Sequence, residues 1–132
     1  MVWLIIVSLA RNNLRLLLGL LINAMTDLCE LLHQIKKRPG MFLDSPSIKS
    51  LNMLMMGYNI ARRDQDLPLT KQELEFQEFQ QWIQNKYNVL SSKSWATIIL
   101  ENSQDERDAL NKFFELFEEF TTKVSKTEIS QI

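Results

Sequence analysis

A chain of 132 residues is one domain, long enough to bury a core without metals or disulfides. Gly and Pro are sparse, β-branched clusters are few, and the single Cys29 excludes an internal disulfide and fits a reducing, cytoplasmic compartment. Net charge is −1, yet residues 1–63 hold eight Lys/Arg against three Asp/Glu and residues 64–120 hold five against twelve, an asymmetry that bears on partners and not on fold.

Residues 1–24 differ from the rest. Met1 to Ala10 is almost wholly apolar, Arg11-Asn12-Asn13-Leu14-Arg15 interrupts, and Leu16 to Ile22 is apolar again. A transmembrane helix wants about 20 uninterrupted apolar residues, and the two arginines fall near its middle. A secretory signal wants positive charge ahead of its apolar core, and no Lys or Arg precedes this one. Three readings stand: a translated upstream region before a true start at Met25, a membrane-associating helix, and a cleaved signal. The domain proper is expected over residues 25–122, with a frayed tail at 123–132.

The first helix is expected from about Asp27 to Lys37. Asp27 and Glu30 have capping-box spacing, Leu28, Leu31, Leu32 and Ile35 make one apolar face, and Lys36, Lys37 and Arg38 complement the dipole at its end. His33 lies off that stripe and reads as a surface residue. Pro39 biases Arg38 away from the α region, and Gly40 is able to take a positive φ, so the helix stops there. Met41, Phe42 and Leu43 form an apolar plug expected beneath the flanking helices. Ser45 as N-cap and Pro46 at the first helical position then restart the chain.

The second helix runs from Pro46 to about Arg63, with Ile48, Leu51, Met55 and Tyr58 on one stripe and Leu54 and Ile60 widening it. Met53, Met55 and Met56 form a soft patch of the kind found in cores and on adaptable binding surfaces, and core packing is the first reading. Gly57, inside the helix, points to a close helix crossing. Arg62 to Asp66 is expected to end the helix in solvent, and Leu67-Pro68-Leu69 to bridge to the next.

Thr70 with Glu73 is a capping box, opening a third helix to about Lys86 through Phe76, Phe79, Trp82, Ile83 and Tyr87. Ser94 caps a short helix carrying Trp95, Ile98 and Ile99, with a strand over 95–100 as the alternative. Ser103 with Glu106 gives a further capping box. The last helix then carries Leu110, Phe113, Phe117, Phe120 and Val124. The fold expected is all-α, a compact bundle of about five helices preceded by a separate apolar segment.

No enzyme template fits these residues. Gly19, Gly40 and Gly57 are too far apart to cradle a phosphate, and a single His with a single Cys gives no metal site. Cys29 and His33 fall on neighbouring turns, but no orienting group or oxyanion site accompanies them. The basic residues Lys36–Arg38 and Arg62–Arg63 are too few for a nucleic-acid face. The expectation is therefore no catalytic residue, no cofactor, no metal and no nucleic acid. Membrane contact stays open through residues 1–24.

Lys37-Arg38-Pro39-Gly40-Met41-Phe42-Leu43 resembles the segment leading into the nucleotide-binding helix of DNA gyrase B-type ATPases. The likeness ends there, because the next helix lacks the Glu and Asn ligands and no Asp-x-Gly-x-Gly box follows. A broader likeness covers roughly Met25 to Thr121. It rests on Arg38 to Leu43, Ser47-Ile48, Leu51 and Gly57-Tyr58. Later come Phe79, Trp82-Ile83, Tyr87, Trp95, Ile98-Ile99 and Phe113-Phe114-Glu115-Leu116. With these the chain resembles small all-helical bacterial proteins of the toxin-immunity type found in polymorphic and contact-dependent competition systems. Asp44 departs from the pattern, which has glycine after the plug. The resemblance implies a cytosolic, non-enzymatic protein that neutralises a cognate, basic toxin by binding it. Glu75, Glu78, Asp105, Asp108, Glu115, Glu118 and Glu119 are then the candidate partner-binding residues. A helical regulatory adaptor or assembly subunit is the alternative.

Overall fold

The computed structural model describes residues 2–7, 11, 13 and 27–130, without the side chains of 125 and 127–130. Of the apolar segment 1–24, residues 2–7 are helical, and Val2, Trp3, Leu4, Ile5 and Ile6 are exposed. Most of that segment, with residues 131 and 132, lies outside the described residues. Six helices follow: α1 (Leu28–Lys37), α2 (Pro39–Phe42), α3 (Ile48–Asp64), α4 (Lys71–Lys86), α5 (Trp95–Glu101) and α6 (Glu106–Ser130). The domain is all-α, and no strand occurs among the described residues. The helix α6 continues past Lys123, where the sequence suggests a frayed tail.

Apart from α2, which opens on Pro39 with no side-chain cap, each of these helices begins where a side chain answers the free backbone N–H groups of its first turn. Asp27 accepts from the N–H of Glu30 at 2.7 Å, and Thr70 with Glu73 forms a complete reciprocal box. Ser94 accepts from Thr97, which starts α5 and removes the strand alternative over 95–100. Two starts differ from expectation. The cap of α3 is Ser47, not Ser45, and the helix begins at Ile48 instead of Pro46. The reason is tertiary: the Ser47 hydroxyl donates to the Glu106 carboxylate at the head of α6, and Lys49 lies 3.4 Å from the same group. Glu106 is thus engaged by α3 and is unavailable for a box with Ser103. The Ser103 hydroxyl instead donates back to the Ile99 carbonyl, and Asp105 caps α6 by accepting from the Asp108 N–H at 2.8 Å.

Two helices end on left-handed residues that are not glycine. Asp66 and Asn88 both have φ of 53°, and the N–H of Leu67 and Val89 returns to the carbonyl of Arg62 and Gln84 respectively. That six-to-one bond with an apolar residue behind it is the usual way of satisfying the last carbonyls. Between α1 and α2 the break is different. Arg38 sits at φ −139° and ψ 67°, Pro39 opens a single new turn, and Gly40 has no positive φ.

The core is a layer of rings closed by aliphatic stripes. Phe79 on α4 is fully buried, with ring centroids of Phe76, Trp82, Trp95, Phe113, Phe117 and Phe120 between 5.4 and 5.9 Å from its own. Most of these pairs are edge-to-face or tilted, the geometry that the ring quadrupole favours. The helix α5 buries Trp95, Ala96, Ile98 and Ile99, so little of its surface remains for solvent. Leu28, Leu32 and Ile35 of α1 and Ile48, Leu51 and Met55 of α3 complete the interior. Gln80 and Gln84 hold the link between α4 and α5 against α4, through Lys93, Trp95 and Ser91 backbone groups.

The plug is buried in part only. Leu43 is 4 % exposed, Phe42 is half-buried against the core, and Met41 is 70 % exposed. One turn of helix cannot turn three successive side chains inward, and Met41 points out beside the Arg38 guanidinium, 3.9 Å from its sulfur. Met53 and Met56 are likewise outside, leaving Met55 as the core methionine of α3. Among the described residues nothing from another element crosses Gly57, since a Cβ added there would meet no atom of theirs within 4 Å.

Candidate partner-binding surface

The seven candidate carboxylates divide by what already holds them. Asp105 and Asp108 are the caps of α6. Beyond the bond just described, Asp108 accepts from the Gln104 N–H at 2.9 Å and pairs with Lys112 at 3.2 Å. The Gln104 bond first and the Lys112 ammonium second hold the Asp108 carboxyl below the usual range. Acidic side chains at a helix N-terminus are stabilising in their own right. This pair therefore has a structural task.

Glu119 is also committed. It accepts from the Lys86 ammonium at 2.9 Å and lies 3.6 Å from Lys123, and the Lys86 hydrogen bond depresses its carboxyl most. Both ammonium groups also rest over Trp82, at 5.1 and 5.6 Å from the ring centroid. The cluster of Trp82, Lys86, Glu119 and Lys123 fastens the end of α4 to α6. Glu75 reaches its helical neighbour Lys71 at 3.8 Å.

Glu118 is looser, 4.0 Å from Lys36 with both side chains exposed, a pair that water and salt screen heavily. Glu78 and Glu115 are exposed. On α6 the core residues Phe113, Leu116 and Phe120 take one side, and the helical period places Glu115 and Glu118 on the other. The seven carboxylates do not converge. A rise of about 1.5 Å per residue separates Asp105 from Glu119 by about 21 Å along α6.

Two features escaped the sequence reading. One is the buried pair of Arg62 and Glu73, which puts Arg62 inside the fold and not in solvent. The other is the outward face of α3, where Met53, Met56 and Ile60 are exposed together. The sequence offers a binding surface only as the second reading of the methionine patch, and it places Ile60 with the core stripe of the same helix.

Cys29 and His33 lie one turn apart on α1. His33 is exposed, as expected. Burial pushes the Cys29 thiol up, and the carboxylates of Asp27 and Glu75 push it further. A thiol so placed is held protonated, the opposite of what a nucleophile needs. Among the described residues no group of His, Cys, Asp and Glu is arranged to hold a metal ion, and no helix is long and apolar enough to cross a membrane. Compared with known proteins, the chain matches no family model, no curated protein and no solved structure.

Proposed function

We propose that this chain is a non-enzymatic binding protein that neutralises a cognate, basic bacterial toxin by direct contact in the cytoplasm. The observation that carries the reading is the outward row of Glu115 and Glu118 on α6, two carboxylates with little or no structural work, in the acidic half of a chain whose motifs resemble toxin-immunity proteins. Exposed charge of one sign raises association rate and sets specificity more than it adds affinity. Glu78 supplies further negative charge from α4. Asp105, Asp108 and Glu119 contribute to the field while their oxygens stay engaged within the fold.

The test is reversal of Glu115 and Glu118 to lysine, leaving Glu119 in place because it ties α4 to α6. The partner is first captured from the native host on the wild-type chain and identified. Capture by the double reversal is expected to be at least tenfold slower at low ionic strength, with the difference shrinking in salt. A wild-type capture rate at low salt makes this row a solvated surface and nothing more. A second reading, a subunit of a larger helical assembly, is favoured by the apolar outward face of α3.

A further inference from the structure

The helix α3 has two faces. Ile48, Leu51, Met55 and Arg62 are buried on one. On the other, within about 100° of the helical wheel, stand Lys49, Met53, Met56, Gly57, Ile60 and Asp64. The three large apolar residues of this second face are 67, 51 and 46 % exposed in chain order. Steps of four, three and four residues, from Lys49 through Met53 and Met56 to Ile60, are those of a helix–helix seam. Gly57 sits at its centre, poor for a helix interior and unexplained by any contact among the described residues.

We propose that this face is self-complementary and pairs two copies of the chain, α3 against α3, antiparallel about a two-fold axis between Met56 and Gly57. In that register Met56 of each copy enters the space left by Gly57 of the other. Met53 meets Ile60, and Lys49 meets Asp64 at both ends. Arg63, on the flank, meets Ser50. The charges choose the direction: a parallel pairing sets Lys49 beside Lys49 and Asp64 beside Asp64, whereas the antiparallel one forms two opposite-charge pairs. Lys49 keeps most of its surface free despite its approach to Glu106, with a side chain 71 % exposed, and Asp64 is exposed. An isologous contact of this kind closes at the dimer.

The residues 1–24 of the same chain are the competing occupant. Their charges are the arginines Arg11 and Arg15, which suit Asp64 and oppose Lys49. A second copy answers both ends. The inference is independent of the toxin-binding reading, which uses α6 and α4.

One helix seam buries less than the roughly 1,200–2,000 Å² of a stable interface, so the dimer is weak, with Kd on the order of 100 μM. Sedimentation equilibrium of the full chain, from tenfold below to tenfold above that concentration, is expected to show monomer passing to dimer. Asp64→Lys and Lys49→Glu are each expected to weaken association at least tenfold, with the helical circular dichroism unchanged. An equimolar mixture of the two variants is expected to dimerise again. In the mixed pair the new carboxylate of one chain faces the new ammonium of the other, and the original Lys49 and Asp64 meet at the far end. Monomer throughout, a dimer indifferent to either substitution, or a mixture no stronger than the single variants overturns the proposal. The first of these is the result if residues 1–24, or a different protein, cover this face.

Discussion

The guanidinium of Arg62, in the last turn of α3, and the carboxylate of Glu73, in the first turn of α4, form an ion pair beneath the link between those helices, with side chains 9 and 3 % exposed. Around it the backbone is closely engaged. Arg62 also donates to the Pro68 carbonyl at 3.2 Å and lies over the Tyr58 ring, and Glu73 accepts from the Thr70 N–H at 3.0 Å. The pair therefore joins a helix end, a proline link and a helix cap into one unit.

Removing one partner leaves an uncompensated buried charge, so Glu73→Leu is expected to cost about 3–5 kcal/mol. It also removes half of the capping box. Replacing both residues, Arg62→Leu with Glu73→Leu, is expected to recover most of that loss, because a buried pair is often close to neutral against a hydrophobic replacement. Urea denaturation of the two single variants and the double variant measures the coupling. Additive losses mean that the two side chains act separately.

What was legible in the sequence was what neighbouring residues decide. Thr70 and Glu73 settle their own cap within one turn, and Phe79 with Ile83 announces a buried stripe by spacing alone. The misplaced starts have long-range causes. Ser47 outranks Ser45 because Glu106, far along the chain, accepts its hydroxyl, and the same contact takes Glu106 away from Ser103. Arg62 reads as a solvated helix end until Glu73 is folded against it. For the candidate surface, the count of carboxylates is legible, but not that Asp108 and Glu119, though on the surface, are already engaged by Gln104, Lys112 and Lys86.

The plug gives a graded expectation. Leu43→Ala is expected to cost about 2–5 kcal/mol, the range for a truncated core leucine. Met41→Ala is expected to stay within about 0.5 kcal/mol of wild type, as exposed substitutions do. Phe42→Ala falls between them. Chemical denaturation midpoints give the order directly, and a Met41 variant as damaging as the Leu43 variant places that methionine in the interior.

Cys29 supplies a pH dependence. Burial first and Asp27 second raise its thiol above the ordinary value in the folded chain. The folded state therefore favours the neutral thiol. Its stability contribution is complete below the unfolded pKa, about 8.5, and is lost as pH rises from there through the folded value. Alkylation by iodoacetamide is expected to be slower than that of a free thiol at neutral pH and to accelerate only at higher pH. A rate equal to glutathione at pH 7 means that the thiol is neither shielded nor shifted.

Gly57→Ala separates the needs of the monomer from those of the paired helix. Among the described residues no neighbouring element lies within 4 Å of the added methyl group, and the helix around it is regular, so the substitution relieves the entropic penalty of a mid-helix glycine. At low protein concentration the variant is expected to be more stable than wild type by about 0.5–1 kcal/mol, read as a rise in Tm. At high concentration the same methyl group occupies the space into which Met56 of a second copy fits, so self-association is expected to weaken. Stability and association then move in opposite directions. A variant that is destabilised when dilute shows that Gly57 serves the fold of the single chain, and a variant that associates as wild type shows that Met56 does not enter there.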